Sequence, residues 1–487
     1  MLLLGVRIGV DLPGLALITA GAVIWSGAAL VWQEPAKQPG FLGGALAAQT
    51  GSLGALVALD PVGFYLFFSV MTVASYGLVA AGPRRGAHRA GALYLGLALL
   101  GEFLMLTAFM LASAETEAGL VIGLLLLFGL GAKLGIPPFH VALPVAYRAA
   151  PTVGGALIGS VLVNAAIVGM MRFLPISGSS LTDLAPILCG LGLATAFYGA
   201  VIGTMQRHPK ALLGYSTVSQ MGIAVVALGI ASAAPDGLAV LAPAIALFAV
   251  HHALTKAALF FALDTASDRL SIGLIIALSL TLAAAPLTGG ALAKLWIEES
   301  VSVLPDPWPH VVPILLPLTS AGTALLMTRF VFLVRGRATM PSSGRTAFVV
   351  LAILALAAPW AMAIATHPAP GLLAFAPAHL WTSLWPLLAA GAFFAAAALA
   401  ARGVDRRFPT IPAGDILIPL QLLAGRIKIG LHYMSGPLRL PRLFDIADAF
   451  GAIGSAVERG ETHLRGFRGF GLVFLALIIV LLIAGEA

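Results

Sequence analysis

Long apolar stretches dominate this sequence and constrain its fold more than any other feature. A helix that crosses a bilayer needs about 20 mainly apolar residues, and about fourteen stretches of the chain meet that requirement. They lie near residues 14–32, 41–59, 62–81, 90–113, 119–137, 152–173, 184–206, 210–232, 238–264, 271–296, 311–334, 346–366, 380–401 and 469–485. With 60% hydrophobic residues, 10% charged residues and a mean hydropathy of +1.01, the composition is not that of a soluble domain. The sequence therefore predicts an all-α, polytopic membrane protein.

Basic residues collect in alternate loops. The basic loops contain Arg84, Arg85, Arg89, Arg148, Arg207, Lys210, Arg335, Arg337 and Arg345, and later Arg402, Arg406, Arg407, Arg426, Lys428, Arg439 and Arg442. The opposite loops contain Glu115, Glu117, Asp183, Asp236, Glu298, Glu299 and Asp306. The positive-inside rule makes the basic side cytoplasmic, so that both termini lie outside the inner (plasma) membrane and the number of helices is even. The net charge of +7 is thus explained by membrane topology, and we expect no nucleic-acid partner.

The sequence offers no support for a bound cofactor or metal. The single cysteine, Cys189, lies in an apolar stretch, which excludes an intrachain disulfide, a cysteine-ligated zinc site and an iron–sulfur cluster. No phosphate-binding Gly-x-x-x-x-Gly-Lys-Ser/Thr loop occurs, so we expect no nucleotide or flavin. Arg7 is the only basic residue before the first apolar stretch, and Asp11 lies at the start of that stretch. We therefore expect a retained helix there and not a cleaved signal.

Three of the six lysines, Lys133, Lys256 and Lys294, lie within or at the mouth of apolar stretches. An ammonium near the bilayer centre costs roughly 2.5–3.5 kcal/mol on insertion scales. Such a residue usually faces a polar interior and marks an ion or proton path. These lysines therefore predict ion translocation.

Lys133 precedes a double proline in the run Gly131 to His140. Proline removes a backbone donor and ends a helix, and irregular backbone at membrane depth is tolerated only where it is buried or lines a wet cavity. We therefore predict a broken helix with Lys133 and His140 at the break. The alternative is a lysine that extends to the interface from an ordinary helix end.

Glu102 lies in the middle of its apolar stretch, far from any other charge. Burial disfavours the charged forms of a carboxyl and an ammonium, and their mutual attraction favours them, so a balanced pair can exchange protons near neutral pH. We predict that Glu102 and Lys133 form such a pair. A permanently protonated, hydrogen-bonded Glu102 is the alternative.

A second polar group is expected around His251, His252 and Lys256. His252 and Lys256 are four residues apart and share a helical face, and histidine titrates near physiological pH. Their face suits a proton relay, and a metal site is disfavoured because no third ligand is spaced nearby. Asn164 is the only asparagine and lies in the middle of its apolar stretch, either as a polar step or as a helix–helix hydrogen bond. A purely structural role for the histidines also remains open.

Lys294 follows the helix-breaking run Ala285 to Gly290. Two interrupted apolar segments at corresponding places in two halves indicate an inverted-repeat transporter with its ion sites at the breaks. An interfacial position for Lys294 near the helix end is the alternative.

These motifs together resemble the antiporter-like subunits shared by respiratory complex I, energy-converting hydrogenases and Mrp-type multisubunit cation/proton antiporters. The resemblance rests on Lys133-x-x-Ile-Pro-Pro-Phe-His140, on the run from Lys210 to Gly222, on His252-Ala-Leu-Thr-Lys256 and on Pro286-Leu-x-Gly-x5-Lys294. It implies two inverted five-helix repeats, at about 41–174 and 184–334, each with one broken helix. Aligned in this way, the chain lacks the family's first two helices.

The domain organisation follows from the same pattern. We expect a membrane domain at 1–401, a basic interfacial segment at 402–468 and a C-terminal transmembrane helix within 469–487. The interfacial segment is either a docking element for partner subunits or a membrane-surface linker.

Two departures from the family pattern bear on mechanism. Ser69 stands where the family has its key glutamate, and Asn164 stands where it has a lysine or histidine. Our hypothesis is that Glu102, on the next helix, supplies the lost carboxylate.

The resemblance implies a proton-translocating subunit, or a sodium/proton antiporting one, of a hetero-oligomeric membrane complex. The expected path residues are Glu102, Lys133, His140, Asn164, His251, His252, Lys256 and Lys294. The chain contains no redox centre, so any NADH- or ferredoxin-dependent electron transfer would belong to partner subunits. The alternatives are the membrane subunit of an ion-gradient-driven inorganic-carbon uptake complex and a non-conducting scaffold.

Overall fold

Helices make up almost all of the part of the chain that the computed structural model describes, which is residues 6–31, 40–114, 119–174, 184–234, 236–264, 268–335, 342–366, 373–400 and 410–415. The α-helices are α1 (Leu12–Val31), α2 (Phe41–Val57), α3 (Pro61–Ala80), α4 (Ala87–Ser113), α5 (Gly119–Leu134), α6 (Ala142–Ala149), α7 (Thr152–Leu157), α8 (Val163–Phe173), α9 (Leu184–Thr204), α10 (Pro209–Ser232), α11 (Gly237–Ala262), α12 (Arg269–Leu282), α13 (Gly289–Glu298), α14 (Trp308–Val334), α15 (Ser342–Thr366) and α16 (Pro377–Ala400). These ranges contain no β-strand, only an isolated bridge between Ile8 and Ala58. The predicted all-α class is confirmed.

Eleven helical spans in the described ranges are long and apolar enough to cross a membrane, counting α5 with α6 and α7 with α8 as one span each. The helices α2 and α12 are shorter and also apolar. The predicted polytopic architecture is therefore confirmed. The final predicted helix and all of the predicted interfacial segment except 410–415 lie outside the described residues.

The span formed by α7 and α8 and the helix α10 are wholly enclosed by other helices, whereas α16 is mostly exposed. Glycine allows close approach in this interior. Gly192 of α9 lies against Gly222 of α10, and a Cβ at either position would collide with the backbone of the other helix. Small residues let membrane helices approach closely, and these two glycines allow α9 to pack tightly against α10.

The first predicted break is confirmed. The helix α5 ends at Leu134, Gly135 has a φ of 77°, and a single 3₁₀ turn at Phe139–Val141 leads into α6. A positive φ suits glycine because it has no Cβ, and the following Pro137 and Pro138 cannot donate backbone hydrogen bonds. The break leaves Lys133 in the last turn of α5 and His140 in the 3₁₀ turn.

The second predicted break is also confirmed. The helix α12 ends at Leu282, and α13 begins at Gly289 with Thr288 as its N-cap, whose side chain accepts a hydrogen bond from the Ala291 backbone N–H. Between the two helices, Ala284 and Leu287 have φ values of 57° and 60°. Each of the regions 41–174 and 184–334 therefore contains one broken helix, and their inverted relation stays a prediction.

Arg172, near the end of α8, ties the N-terminal segment to the rest of the protein. Its guanidinium donates to both carboxylate oxygens of Asp11, at 2.7 and 2.8 Å, and to the carbonyls of Ala55, Leu56 and Ala58, at 2.6 to 2.9 Å. Burial raises the pKa of Asp11, but the hydrogen bonds and charge of Arg172 outweigh it, so that the pKa lies below its ordinary value.

Candidate functional site

Lys133 is 3% exposed and lies in a pocket formed by α3 and α4. Its ammonium donates to the Thr72 hydroxyl at 3.2 Å and lies 5.1 Å from the ring centroid of Tyr94 and 5.8 Å from that of Phe68. Aromatic faces attract a cation, more strongly where water is excluded. Ser69, where the resemblance predicts a glutamate, follows Phe68 and has a hydroxyl without a hydrogen-bond partner among the described residues.

Glu102 is buried, as expected, but does not contact Lys133. The two side chains form no ion pair, and the Glu102 Oε1 atom has no hydrogen-bond partner within the described ranges. Lys133 instead extends towards Tyr94, which precedes Glu102 by two helical turns, or about 12 Å along α4. The predicted pair therefore makes no direct contact, because Lys133 extends to Thr72 of α3 and to Tyr94 in the N-terminal half of α4.

His140 lies in a second cluster and is fully buried. Its Nε2 atom is 3.0 Å from the Tyr198 hydroxyl of α9 and 3.3 Å from Asp415 Oδ1. The Tyr198 hydroxyl donates a hydrogen bond to Asp415 Oδ2. The other ring nitrogen of His140, Nδ1, is buried and has no partner among the described residues.

Asn164 and His252 are brought together in the centre of the protein, where both are fully buried. The Asn164 amide donates to the Ser160 carbonyl at 2.6 Å and lies 3.1 Å from His252 Nδ1. A π-helical turn at Ile158–Leu162 lies just before Asn164, and such turns occur often at functional sites. When the Asn164 amide donates to His252 Nδ1, the proton of the neutral imidazole lies on Nε2. His252 Nε2 has no hydrogen-bond partner in the described part of the chain.

Lys256 follows His252 by one turn of α11 and is fully buried. Its ammonium donates to the Leu213 carbonyl of α10 at 3.0 Å. The predicted common face of His252 and Lys256 is confirmed, since i and i+4 side chains of a helix are neighbours.

His251 faces the second break, whereas His252 contacts Asn164. Its Nε2 atom is 3.1 Å from the Thr281 hydroxyl of α12, and the same hydroxyl accepts a hydrogen bond from the Gly290 backbone N–H at 3.4 Å. Thr281 therefore joins His251 to the first turn of α13. Lys294 lies one turn further along that helix.

Lys294 is 5% exposed and is held by α14. Its ammonium donates to the hydroxyls of Ser320, at 2.6 Å, and Thr319, at 2.9 Å. Lys294, Glu298 and Ser320 line a polar cleft that His379 of α16 also lines.

The hydroxyl groups of these clusters and one carboxylate were not predicted as site residues. They are Thr72, Tyr94, Tyr198, Thr281, Thr319, Ser320 and Asp415. Serine and threonine occur throughout these apolar stretches, so their spacing alone does not separate site residues from helix-packing ones. Asp415 lies far along the chain from His140 and gives no local signal.

Several buried polar atoms near the predicted site residues have no hydrogen-bond partner within the described ranges. They are Tyr94 Oη, Glu102 Oε1, His140 Nδ1, Asn164 Oδ1, His251 Nδ1, His252 Nε2 and Thr255 Oγ1. Buried polar groups in proteins are normally satisfied by protein or by ordered water. This set can therefore bind internal water between the clusters. In the part of the chain that the structure describes, no three His, Cys, Asp or Glu side chains are grouped to hold a metal ion.

A family profile and individual relatives both match this chain, and they agree on one family of membrane proteins. The sequence profile described as "NADH:quinone oxidoreductase/Mrp antiporter, TM" matches residues 58–303. NADH-quinone oxidoreductase subunit M of Pseudomonas aeruginosa is 29% identical over 301 residues, which cover 55% of this chain and 58% of that protein. Hydrogenase-4 component B of Escherichia coli is 31% identical over 247 residues, which cover 45% of this chain and 36% of that protein.

The fold has a counterpart in the Mrp complex from Dietzia sp. DQ12-45-1b. A chain of that structure superposes with a TM-score of 0.67 and 20% identity, over 93% of this chain and 57% of that chain. This similarity concerns the fold. In each of these three comparisons the match spans less than two thirds of the related chain.

Proposed function

Because the chain belongs to the NADH:quinone oxidoreductase/Mrp antiporter family of membrane proteins, we propose that it is a proton-translocating subunit of a multisubunit membrane complex. The proton path uses Glu102, the three buried lysines, His140 and the histidines of α11, with Asn164 beside His252. Other membrane subunits are its partners, and any redox chemistry that drives it takes place in them.

The observation that carries this proposal is the environment of Lys133, Lys256 and Lys294. All three are nearly or fully buried, and each donates to hydroxyl or carbonyl oxygens. None forms an ion pair with a described residue, although the Glu298 side chain lines the same cleft as Lys294 and interacts with it electrostatically. Ionisable side chains buried in a membrane domain usually face a polar interior and mark an ion or proton path, and a lysine held by neutral oxygens breaks no ion pair when it exchanges its proton. Reversible protonation is the property that a proton carrier requires.

The position of His252 between Asn164 and Lys256 supports a continuous proton path through the middle of the protein. Asn164 cannot hold a proton, but its amide fixes the His252 ring one turn from Lys256. The acid–base role that the family assigns to the position of Asn164 therefore passes to His252. Water bound by the unsatisfied polar atoms connects groups that do not touch, including Glu102 and Lys133.

Protons suit these residues better than sodium, because a charged lysine repels a metal cation. Sodium/proton antiport is the second form of the proposal and is distinguished by following both ions.

One observation favours a non-conducting scaffold instead. Ser69 and Asn164 replace two ionisable groups that the family resemblance predicts, and a scaffold would tolerate these losses. In that case the purified wild-type assembly shows no ion flux.

The experiment is proton uptake by proteoliposomes that contain the purified native assembly. Lys256→Met and Glu102→Gln keep approximate side-chain size and remove the exchangeable proton, so each should lower the initial rate by ~100-fold, within the range for lost acid–base groups. Arg85→Gln, at an exposed loop position, is the control and should transport at the wild-type rate. Wild-type rates in both site variants would contradict the proposed path.

A further inference from the structure

We propose that Asp415 is the proton-exchange group at the basic face of the protein, where it passes protons to and from His140. This inference rests on the proposed function, and it adds a residue from beyond the last described membrane helix to the path. Neither the motifs of the sequence nor the family match, which covers residues 58–303, includes Asp415.

Asp415 and His140 are in direct contact. Asp415 Oδ1 lies 3.3 Å from His140 Nε2, within range for a proton shared between a carboxyl and an imidazole. The His140 side chain is 0% exposed and the Asp415 side chain is 8% exposed. Asp415 is therefore the member of the pair that is nearer to water.

The segment 410–415 lies at the end of α9, close to the basic loops. The Ile411 backbone N–H donates to the Met205 carbonyl at 3.3 Å, just beyond the end of α9. Ala413 lines a cleft together with Arg84, Arg85 and Arg148. Asp415 is thus held on the face of the protein that carries the basic loops.

Tyr198 fixes the carboxylate in place. Its hydroxyl donates to Asp415 Oδ2 and lies 3.0 Å from His140 Nε2, with the two rings packed edge to face. One tyrosine therefore orients both the outer acid and the inner base. A residue that only covered the surface would not need this arrangement of three polar side chains.

The second ring nitrogen of His140, Nδ1, can pass the proton inwards. When the carboxylic acid of Asp415 gives its proton to Nε2, the O–H bond breaks, an N–H bond forms, and a carboxylate and an imidazolium result. The imidazolium then gives the proton on Nδ1 to a water molecule and becomes neutral. His140 Nδ1 is buried and has no partner in the described part of the chain, so it is available for this inward step.

The test uses the purified native assembly in proteoliposomes and compares wild type with Asp415→Asn and Asp415→Glu. Asparagine keeps the shape but holds no exchangeable proton, so the rate of proton uptake should fall by at least ~10-fold. Glutamate restores a carboxyl and should recover most of the rate. Asp236→Asn, an exposed aspartate at the start of α11, is the matched control and should behave as wild type.

A cross-link separates loss of proton exchange from loss of docking. In a Cys189→Ala background, cysteines at Met205 and Ile411 should form a disulfide, because the backbone atoms of these residues are in contact. The disulfide should form equally with Asp, Asn or Glu at position 415. A slow Asn variant with an intact cross-link and a fast Glu variant supports the inference.

Three results would overturn it. A wild-type rate in Asp415→Asn removes Asp415 from the path and leaves the proposed function standing. An equal loss in the Asn and Glu variants shows that the carboxyl chemistry is not what matters. Absence of proton flux in wild type overturns the proposed function, and the role of Asp415 with it.

Discussion

The three buried lysines are held by neutral oxygen atoms. Lys133 donates to Thr72, Lys256 to a backbone carbonyl, and Lys294 to Thr319 and Ser320. Neutral acceptors stabilise an ammonium less than a paired carboxylate does, because they supply no opposite charge. These hydrogen bonds agree with the proton exchange proposed for the lysines, and for Lys294 the carboxyl group of Glu298 lines the same cleft.

Arg172 shows the opposite arrangement, with a carboxylate and three carbonyls around one guanidinium. Replacing Arg172 with Gln should lower the free energy of unfolding by about 2 kcal/mol, less than for a fully buried pair, because Asp11 is a third exposed and water screens it. Thermal unfolding of the purified protein in detergent measures this loss. The exposed Arg148→Gln is the control and should unfold as wild type does.

The effect of Arg172 should depend on pH with a defined sign. The pKa of Asp11 is lower in the folded protein than its ordinary value of 3.8. The stabilisation is therefore complete above that value and is lost as the pH falls through the lower, folded pKa. The difference between wild type and Arg172→Gln should shrink in that acidic range. A difference that is constant down to the lowest pH would contradict this assignment.

At the scale of elements, the sequence predicted the helices and both breaks but not the partners of the site residues. The double proline after Lys133 and the Pro/Gly run before Lys294 interrupt helices locally, so both breaks can be predicted from the sequence alone. The contact between His140 and Asp415 joins residues that are far apart in the chain, and no periodicity encodes it. Glu102 and Lys133 form no ion pair, because the Lys133 side chain reaches Thr72 of α3 and Tyr94 of α4, and the local sequence does not encode these contacts.

The second break contains strain that glycine should relieve. Ala284 has a φ of 57°, a region that costs an L-residue with a Cβ roughly 1–2 kcal/mol. Ala284→Gly should therefore stabilise the protein by up to about 1 kcal/mol, after allowance for the greater freedom of glycine in the unfolded chain. The measurement is the thermal unfolding midpoint in detergent.

Ala283→Gly is the matched control for that prediction. Ala283 has a φ of −79°, which alanine adopts without strain, so glycine there should be neutral or destabilising. Equal effects of the two substitutions would show that the positive φ is not the cause.

At the scale of the whole molecule, the loop charges predict its orientation. We expect the basic loops to face the cytoplasm, and the contact of Arg84 with His208, at 2.8 Å, joins two of these loops on one face. In a Cys189→Ala background, a membrane-impermeant maleimide added outside intact cells should label Asp306→Cys and should label Arg85→Cys only after permeabilisation. Labelling in the reverse order would invert the topology.

The family could be identified from four motifs, and the profile match confirms it over residues 58–303. What the motifs do not contain is the supporting network of hydroxyls and the acid at position 415. These groups come from α3, α4, α9, α12 and α14 and from the segment after α16, and only packing brings them to the lysines and histidines.

The most direct test of a proton path through this protein is ion flux in proteoliposomes of the native assembly, with wild type compared with Lys133→Ala while internal pH and sodium are both followed. We predict proton uptake by wild type and its loss in the variant, with the assembly and its copurifying subunits intact. Unchanged proton uptake in Lys133→Ala would contradict the account, because it would show that protons cross without the lysine at the first helix break.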